Sequence, residues 1–384
     1  MKKARWRHSI WLLLPIAAFL GHAQAGAQAG HARLLATLPD TCVTPDSMAL
    51  APDGSLWLAC PNFASYAKDT NKPAVPGVFV KVGADLKPHK VFDSPVLAET
   101  GRACPQGIEF GPDGDLYVAD NQNWATGNGP NGEINQGRLL RLKIKNDKLL
   151  ETIVVARGIS HPNGIRYRDG MVYVTVSMLP KVKRPDGLLI SAVYRFPADG
   201  HDIQVDDTLA DPNLLTTFVT ENRFVQYGLD GIAFDSKGNL YVGNFGDGTI
   251  NKITFDGKGG VSENRIFART DFDRSLDPQS PGFLAKAMKA KMRTTDGMFT
   301  DKNDNLYVAD FSNNAIAKVT PAGVISVVAQ NGDTAGHNGD LNEPGEPIVW
   351  RGKLVVSNFD AVFGPDKVSS KHESPATLSV VDLQ

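Results

Sequence analysis

Residues 230–242 read DGIAFDSKGNLYV and residues 296–308 read DGMFTDKNDNLYV. A chain that repeats one strand-turn-strand unit must set its copies against each other, because an isolated hairpin cannot bury its apolar face alone. Laid against itself, the sequence yields six copies, opening at Asp46, Gln106, Asn163, Asp230, Asp296 and Glu346. Each has a short apolar strand, a turn rich in Gly, Asp and Asn, and a β-rich strand such as LYVAD. The turn is two residues shorter in the third and sixth copies. That change leaves the strand faces unaltered, since strand side chains alternate with period two.

The copies recur about every 50 to 67 residues, the length of a four-stranded propeller blade with decorated loops. Outer strands are visible between them as GRLLRLKIK and ETIVVAR after the second copy, GTINKITF after the fourth, and NAIAKVT and GVISVVAQ after the fifth. Helical periodicity is confined to GFLAKAMKAKM, residues 282–292. The expected fold is all-β: one six-bladed β-propeller domain of four-stranded blades over residues 32–384. Too few residues follow Glu346 to complete a blade, so ARLLATLP (32–39) is expected to supply the outer strand of the last blade and close the ring.

Residues 1–25 have the layout of a secretory signal: Lys2, Lys3, Arg5 and Arg7, then an apolar run from Ile10 to Leu20, then small residues at Ala23, Ala25 and Ala27. The run is too short to span a bilayer. The expected product is periplasmic or secreted, with no membrane attachment after cleavage. A net charge of -2 and no basic run argue against nucleic acid as a partner. Three cysteines, Cys42, Cys60 and Cys104, fit an oxidising compartment with one disulfide and one leftover thiol, the pairing open.

In a propeller the first strand of each blade lines the central channel, so the six opening residues converge near one mouth. All six are oxygen donors. Carboxylates crowded in a confined channel repel unless a cation sits among them, and such a donor set suits calcium, or another hard divalent cation. The competing reading is that Asp or Asn at a strand entry merely hydrogen-bonds the following backbone. The second strands return to the same mouth, ending at Cys60, Asp120, Thr175, Asn244, Asp310 and Asn358. Asp120, Asn244, Asp310 and Asn358 are therefore expected to touch a substrate, beneath an apolar rim of Trp124, Met178, Phe245, Phe311 and Phe359. Long loops at 121–138, 177–191 and 269–295 leave from this side, as do His161 and His337, each a candidate proton carrier.

The motifs PNG at 162–164 and DG at 230–231, set in this blade rhythm, resemble the gluconolactonase and senescence-marker-protein family. Its six-bladed propellers are also similar to paraoxonase, squid-type phosphotriesterase and strictosidine synthase. The resemblance implies a calcium ion held by Asp46, Gln106, Asn163 and Asp230; Asp296 and Glu346 are then candidates to ligate as well, to hold a second ion or to position a water. Asp46 is one methylene shorter than the family's Glu, and Gln106 one longer than its Asn. It further implies hydrolysis of a lactone or related ester, the ion polarising a carbonyl while Asp230 or Asp296 draws a proton from water. Two alternatives stay open: a non-catalytic propeller binding a ligand or protein, since NGDTAGHNGDLNEPGEP resembles the linker of NHL repeats, and a strictosidine-synthase-like enzyme using Glu343 or Glu346.

Overall fold

Each repeat hairpin is set by its turn. Asp235 accepts the backbone N–H groups of Lys237 and Asn239 at 3.0 and 2.8 Å, and Asp301 accepts those of Asn303 and Asn305 at 2.8 and 2.9 Å. The short polar side chain thus substitutes for a backbone acceptor and turns the chain tightly. The computed structural model describes residues 30–66, 75–122 and 136–383, and these hairpins form the two inner strands of all six blades of a β-propeller. The signal at 1–25, Trp124 and much of the loop 121–138 lie outside the described residues.

Five blades have four antiparallel strands, and the second adds a short parallel strand, Ile203–Gln204, along its outer edge. Arg33–Thr37 pairs with Thr377–Val381 as the outermost strand of the last blade, so both ends of the described chain share one sheet. The helical expectation at 282–292 shrinks to Phe283–Ala287, which buries only Phe283 and Ala287. Among the described residues no helix is long and apolar enough to cross a membrane.

Each sheet is apolar on both faces, because it packs against a neighbour on either side. Trp57 and Phe79 of the first blade meet Ile108 and Leu140 of the second, and equivalent clusters fill the other blade interfaces. Leu56 and Leu58 against Val355 and Leu378 complete the circle. Closure makes the central channel, and with it the site, a property of the whole ring.

Cys42 and Cys60 form the disulfide, and Cys104 is buried outside any disulfide. The bridge ties the segment entering the first blade to the end of that blade's second strand, across 18 residues. Cross-linking a loop of that size stabilises by about 3 kcal/mol in the chain-entropy picture. The double variant Cys42→Ser, Cys60→Ser should therefore unfold at distinctly lower urea, read by circular dichroism, with its urea dependence otherwise similar.

Candidate functional site

The glycine of the repeated D-G, N-G and Q-G pairs has a specific cause. A Cβ at Gly107 would lie 2.1 Å from the carbonyl oxygen of Asn163, one at Gly164 2.5 Å from that of Asp230, and one at Gly231 2.2 Å from that of Asp296. Neighbouring inner strands approach backbone to backbone at the channel, which only glycine permits. The strands also shift register across this point, between Pro105 and Ile108, Pro162 and Ile165, Leu229 and Ile232, and Pro344 and Pro347. Such a bulge re-aims the side chain beside it. Asp46, Gln106, Asp230 and Asp296 accordingly line a cavity of about 310 Å³ at the mouth.

Asp46, Gln106, Asn163, Asp230 and Asp296 are all buried. Asn163 hydrogen-bonds Asp230, and its Nδ2 donates to the Tyr227 hydroxyl at 3.0 Å. Gln106 hydrogen-bonds Asp46, and Asp230 and Asp296 hydrogen-bond each other. Burial pushes the Asp230 carboxyl up to about 7, with repulsion from Glu346 adding to it and hydrogen bonds from Asp296 and Asn163 opposing it. Burial and then the charge of Asp230 raise Asp296 well above the carboxylate range, and the same two causes, joined by Glu346, raise Asp46.

Among the described residues, no group of three or more His, Cys, Asp or Glu side chains forms a ready-made metal cage. The donor chemistry nonetheless fits a hard cation, with three carboxylates whose crowding and burial raise their proton affinity, and two carboxamides beside them. Two orphaned atoms point the same way. Asp46 Oδ2 is buried without a hydrogen-bond partner, and so is Asn121 Oδ1, whose amide nitrogen donates to Gln106 Oε1 at 2.7 Å. Turning over both amides would keep that hydrogen bond, now accepted by Asn121, and present the Gln106 oxygen to the floor.

Glu346 is placed differently from the expectation. Its Oε1 accepts from Arg166 Nη2 at 2.7 Å, and its Oε2 accepts the Met48 N–H at 2.7 Å and the Ser47 hydroxyl. Both oxygens are engaged by the half-buried Arg166 and by the first blade, and Glu346 does not line the cavity, which corrects its assignment as a metal ligand. The expected substrate contacts of Asp120, Asn244, Asp310 and Asn358 are corrected too, for none lines the cavity. Asp120 accepts from the Cys104 N–H and from Arg138 Nε, both at 2.8 Å, and Asp310 accepts the N–H groups of Arg293 and Thr294 at 2.7 and 2.9 Å. Asn358 accepts the Asn342 N–H at 3.1 Å, and Asn244 joins Thr220 and Val219. Asp120, Asp310 and Asn358 thus turn back onto the segment entering their own blade, satisfying buried donors there, while Asn244 reaches across to the outer strand of the third blade.

Neither histidine lines the cavity. His161 is held neutral, its pKa lowered to about 4 by burial, and His337 is exposed. Glu343 accepts the N–H groups of Ala361 and Val362 at 2.8 and 2.6 Å, fixing the loop that follows the last blade's second strand. The apolar rim forms as expected from Met178, Phe245, Phe311 and Phe359. Phe63, Tyr227, Phe363, Asp366 and Lys367 also line the cavity and went unanticipated. They belong to connections between repeats, where no period marks them.

No protein-family model matches the chain, and no curated protein matches it in sequence. Solved structures do match its shape, and they are gluconolactonase, regucalcin and related six-bladed propellers. A gluconolactonase from Xanthomonas campestris is 14% identical at a TM-score of 0.51, covering 93% of this chain and 96% of that one. A calcium-binding protein, regucalcin, from Agrobacterium tumefaciens is 10% identical at 0.51, covering 92% and 94%. A PQQ-bound aldose sugar dehydrogenase from Streptomyces coelicolor is 15% identical at 0.50, covering 93% and 99%. Likenesses at such identity establish the propeller and leave the chemistry to the site.

Proposed function

We propose that the chain is an exported hydrolase of a lactone or related ester, using a divalent cation, calcium in the first instance, at the channel floor. The observation that carries this reading is the convergence of Asp46, Gln106, Asp230 and Asp296 on one walled cavity, with Asn163 held beside it by the Tyr227 hydroxyl. The gluconolactonase and regucalcin likenesses support it. The Cys42–Cys60 bridge accords with export to an oxidising compartment.

Asp46, Gln106, Asn163 and Asp230 would hold the ion, which when bound would supply a Lewis acid for the substrate carbonyl. Asp296, hydrogen-bonded to Asp230, is placed to take the proton of the attacking water, with Asp230 able to share that task. Asn163 is fixed by Tyr227, and Gln106 by Asn121, so the floor is preorganised. Burial of the whole group excludes competing water. Lactone hydrolysis by the purified protein should disappear in chelator and return with added calcium. Turnover that persists unchanged in excess chelator would overturn the metal-dependent reading.

A further inference from the structure

Above the carboxylate floor the cavity is walled by a continuous arc of aromatic rings. Tyr227 meets Phe245 with ring centroids 5.6 Å apart, Phe245 meets Phe311 at 5.8 Å, and Phe311 meets Phe359 at 5.6 Å. Phe359 then meets Phe63 and Phe363, each at 6.0 Å. At the rim, Phe224 and Phe363 are 49% and 41% exposed, an arrangement that water opposes unless the rings serve a ligand.

The polar groups in these walls are already engaged. Gln226 Oε1 accepts the Leu189 N–H at 2.7 Å, while its Nε2 donates to the carbonyls of Thr220 and Asn222 at 3.1 and 2.6 Å. The Tyr227 hydroxyl accepts from Asn163. Lys367 Nζ lies 2.7 and 2.8 Å from the two carboxylate oxygens of Asp366, and over the faces of Phe245 and Phe311 at 5.6 and 5.8 Å. Arg293 in turn donates to the Asp366 carbonyl, and that guanidinium is buried. A sugar hydroxyl set against these walls would lose its water and find the wall groups already engaged, its acceptors confined to the floor, whereas an aryl or alkyl group would gain contact at every wall.

We infer that the substrate is a lactone or ester bearing an aryl or medium-chain alkyl group next to the scissile acyl–oxygen bond, and not a polyhydroxylated sugar lactone. This deepens the hydrolase reading and rests on it for the chemistry, but not for the binding. Two assays separate the two. In the first, kcat/KM is measured for γ-phenyl-γ-butyrolactone and for glucono-δ-lactone. In the second, the non-hydrolysable lactams of the same two shapes are titrated calorimetrically into the calcium-loaded protein. The phenyl lactone is expected to be preferred by about a hundredfold or more, and the phenyl lactam to bind while the sugar lactam does not. The double variant Phe224→Ser, Phe363→Ser changes only rim side chains. It should raise KM for the phenyl lactone about tenfold, with kcat and melting temperature held. Phenyl-lactam binding without any hydrolysis would uphold the substrate class and sink the hydrolase reading. Equal or better turnover of the sugar lactone would sink the substrate class and uphold the hydrolase. Failure of the phenyl lactam to bind would likewise overturn the inference.

Discussion

Asp230→Ala should lower kcat/KM for the best lactone substrate by about a thousandfold or more, roughly 4 kcal/mol of transition-state stabilisation, while the protein stays folded. Asp230 touches both sides of the floor, hydrogen-bonding Asn163 and Asp296. Its removal therefore takes away a proposed ion ligand and the neighbour that positions the proposed base. Stability should move the other way. Burial opposes the charge of Asp230, and that charge raises Asp46 and Asp296 in turn. In excess chelator the variant should melt no lower than the native protein. Kinetics on the lactone panel with thermal melts in chelator check both parts. Activity within tenfold of native would remove Asp230 from the mechanism, and a large drop in melting temperature would make it a structural residue.

Arg166→Met should be the most damaging single change away from the floor. Arg166 is half-buried in the channel, donating to Glu346, to the Met298 carbonyl at 2.7 Å and to the Ile165 carbonyl at 2.8 Å, with Glu109 at 3.7 Å. It joins the third blade to the fifth and sixth, and its loss leaves the buried Glu346 and the half-buried Glu109 without their cation. Leaving a buried charge unpaired costs about 3–5 kcal/mol. The penalty should also depend on pH. Burial pushes Glu109 up to about 7 even with Arg166 present. A carboxyl whose pKa is raised on folding favours the folded state fully below its unfolded value near 4, and that contribution is lost as pH rises through the folded value. Without the arginine the folded value rises further, so the variant should be far weaker at pH 8 than at pH 5. Urea titrations at the two pH values measure this. A loss under about 1 kcal/mol, equal at both, would show that Arg166 carries no such burden.

The propeller was legible because its signal is a period. Six hairpins, four of them with an aspartate-capped turn, leave few ways to bury both faces of every strand, and ARLLATLP had nowhere else to pair. The opening donors were legible for the same reason, since each occupies one repeat position and the adjoining glycine fixes the approach of the next strand. The ends of the second strands misled. Periodicity says that Asp120 and Asp310 reach the mouth, but not that their carboxylates turn back to cap the N–H groups of Cys104 and of Arg293 and Thr294. Glu346 misled because its partner, Arg166, lies 180 residues away across the channel. The aromatic wall was half visible: Phe245, Phe311 and Phe359 follow repeat positions, whereas Tyr227, Phe363 and Lys367 sit in connections whose course depends on the assembled ring.

The most direct test of the cation-bearing floor is a calorimetric titration of calcium into the chelator-treated protein, native and Asp230→Ala side by side. Saturable binding in the native protein that the variant lacks, with both folded, is the expected result. No heat of binding in either would contradict a cation site at the floor and leave the opening aspartates as strand-entry caps of a propeller that works without one.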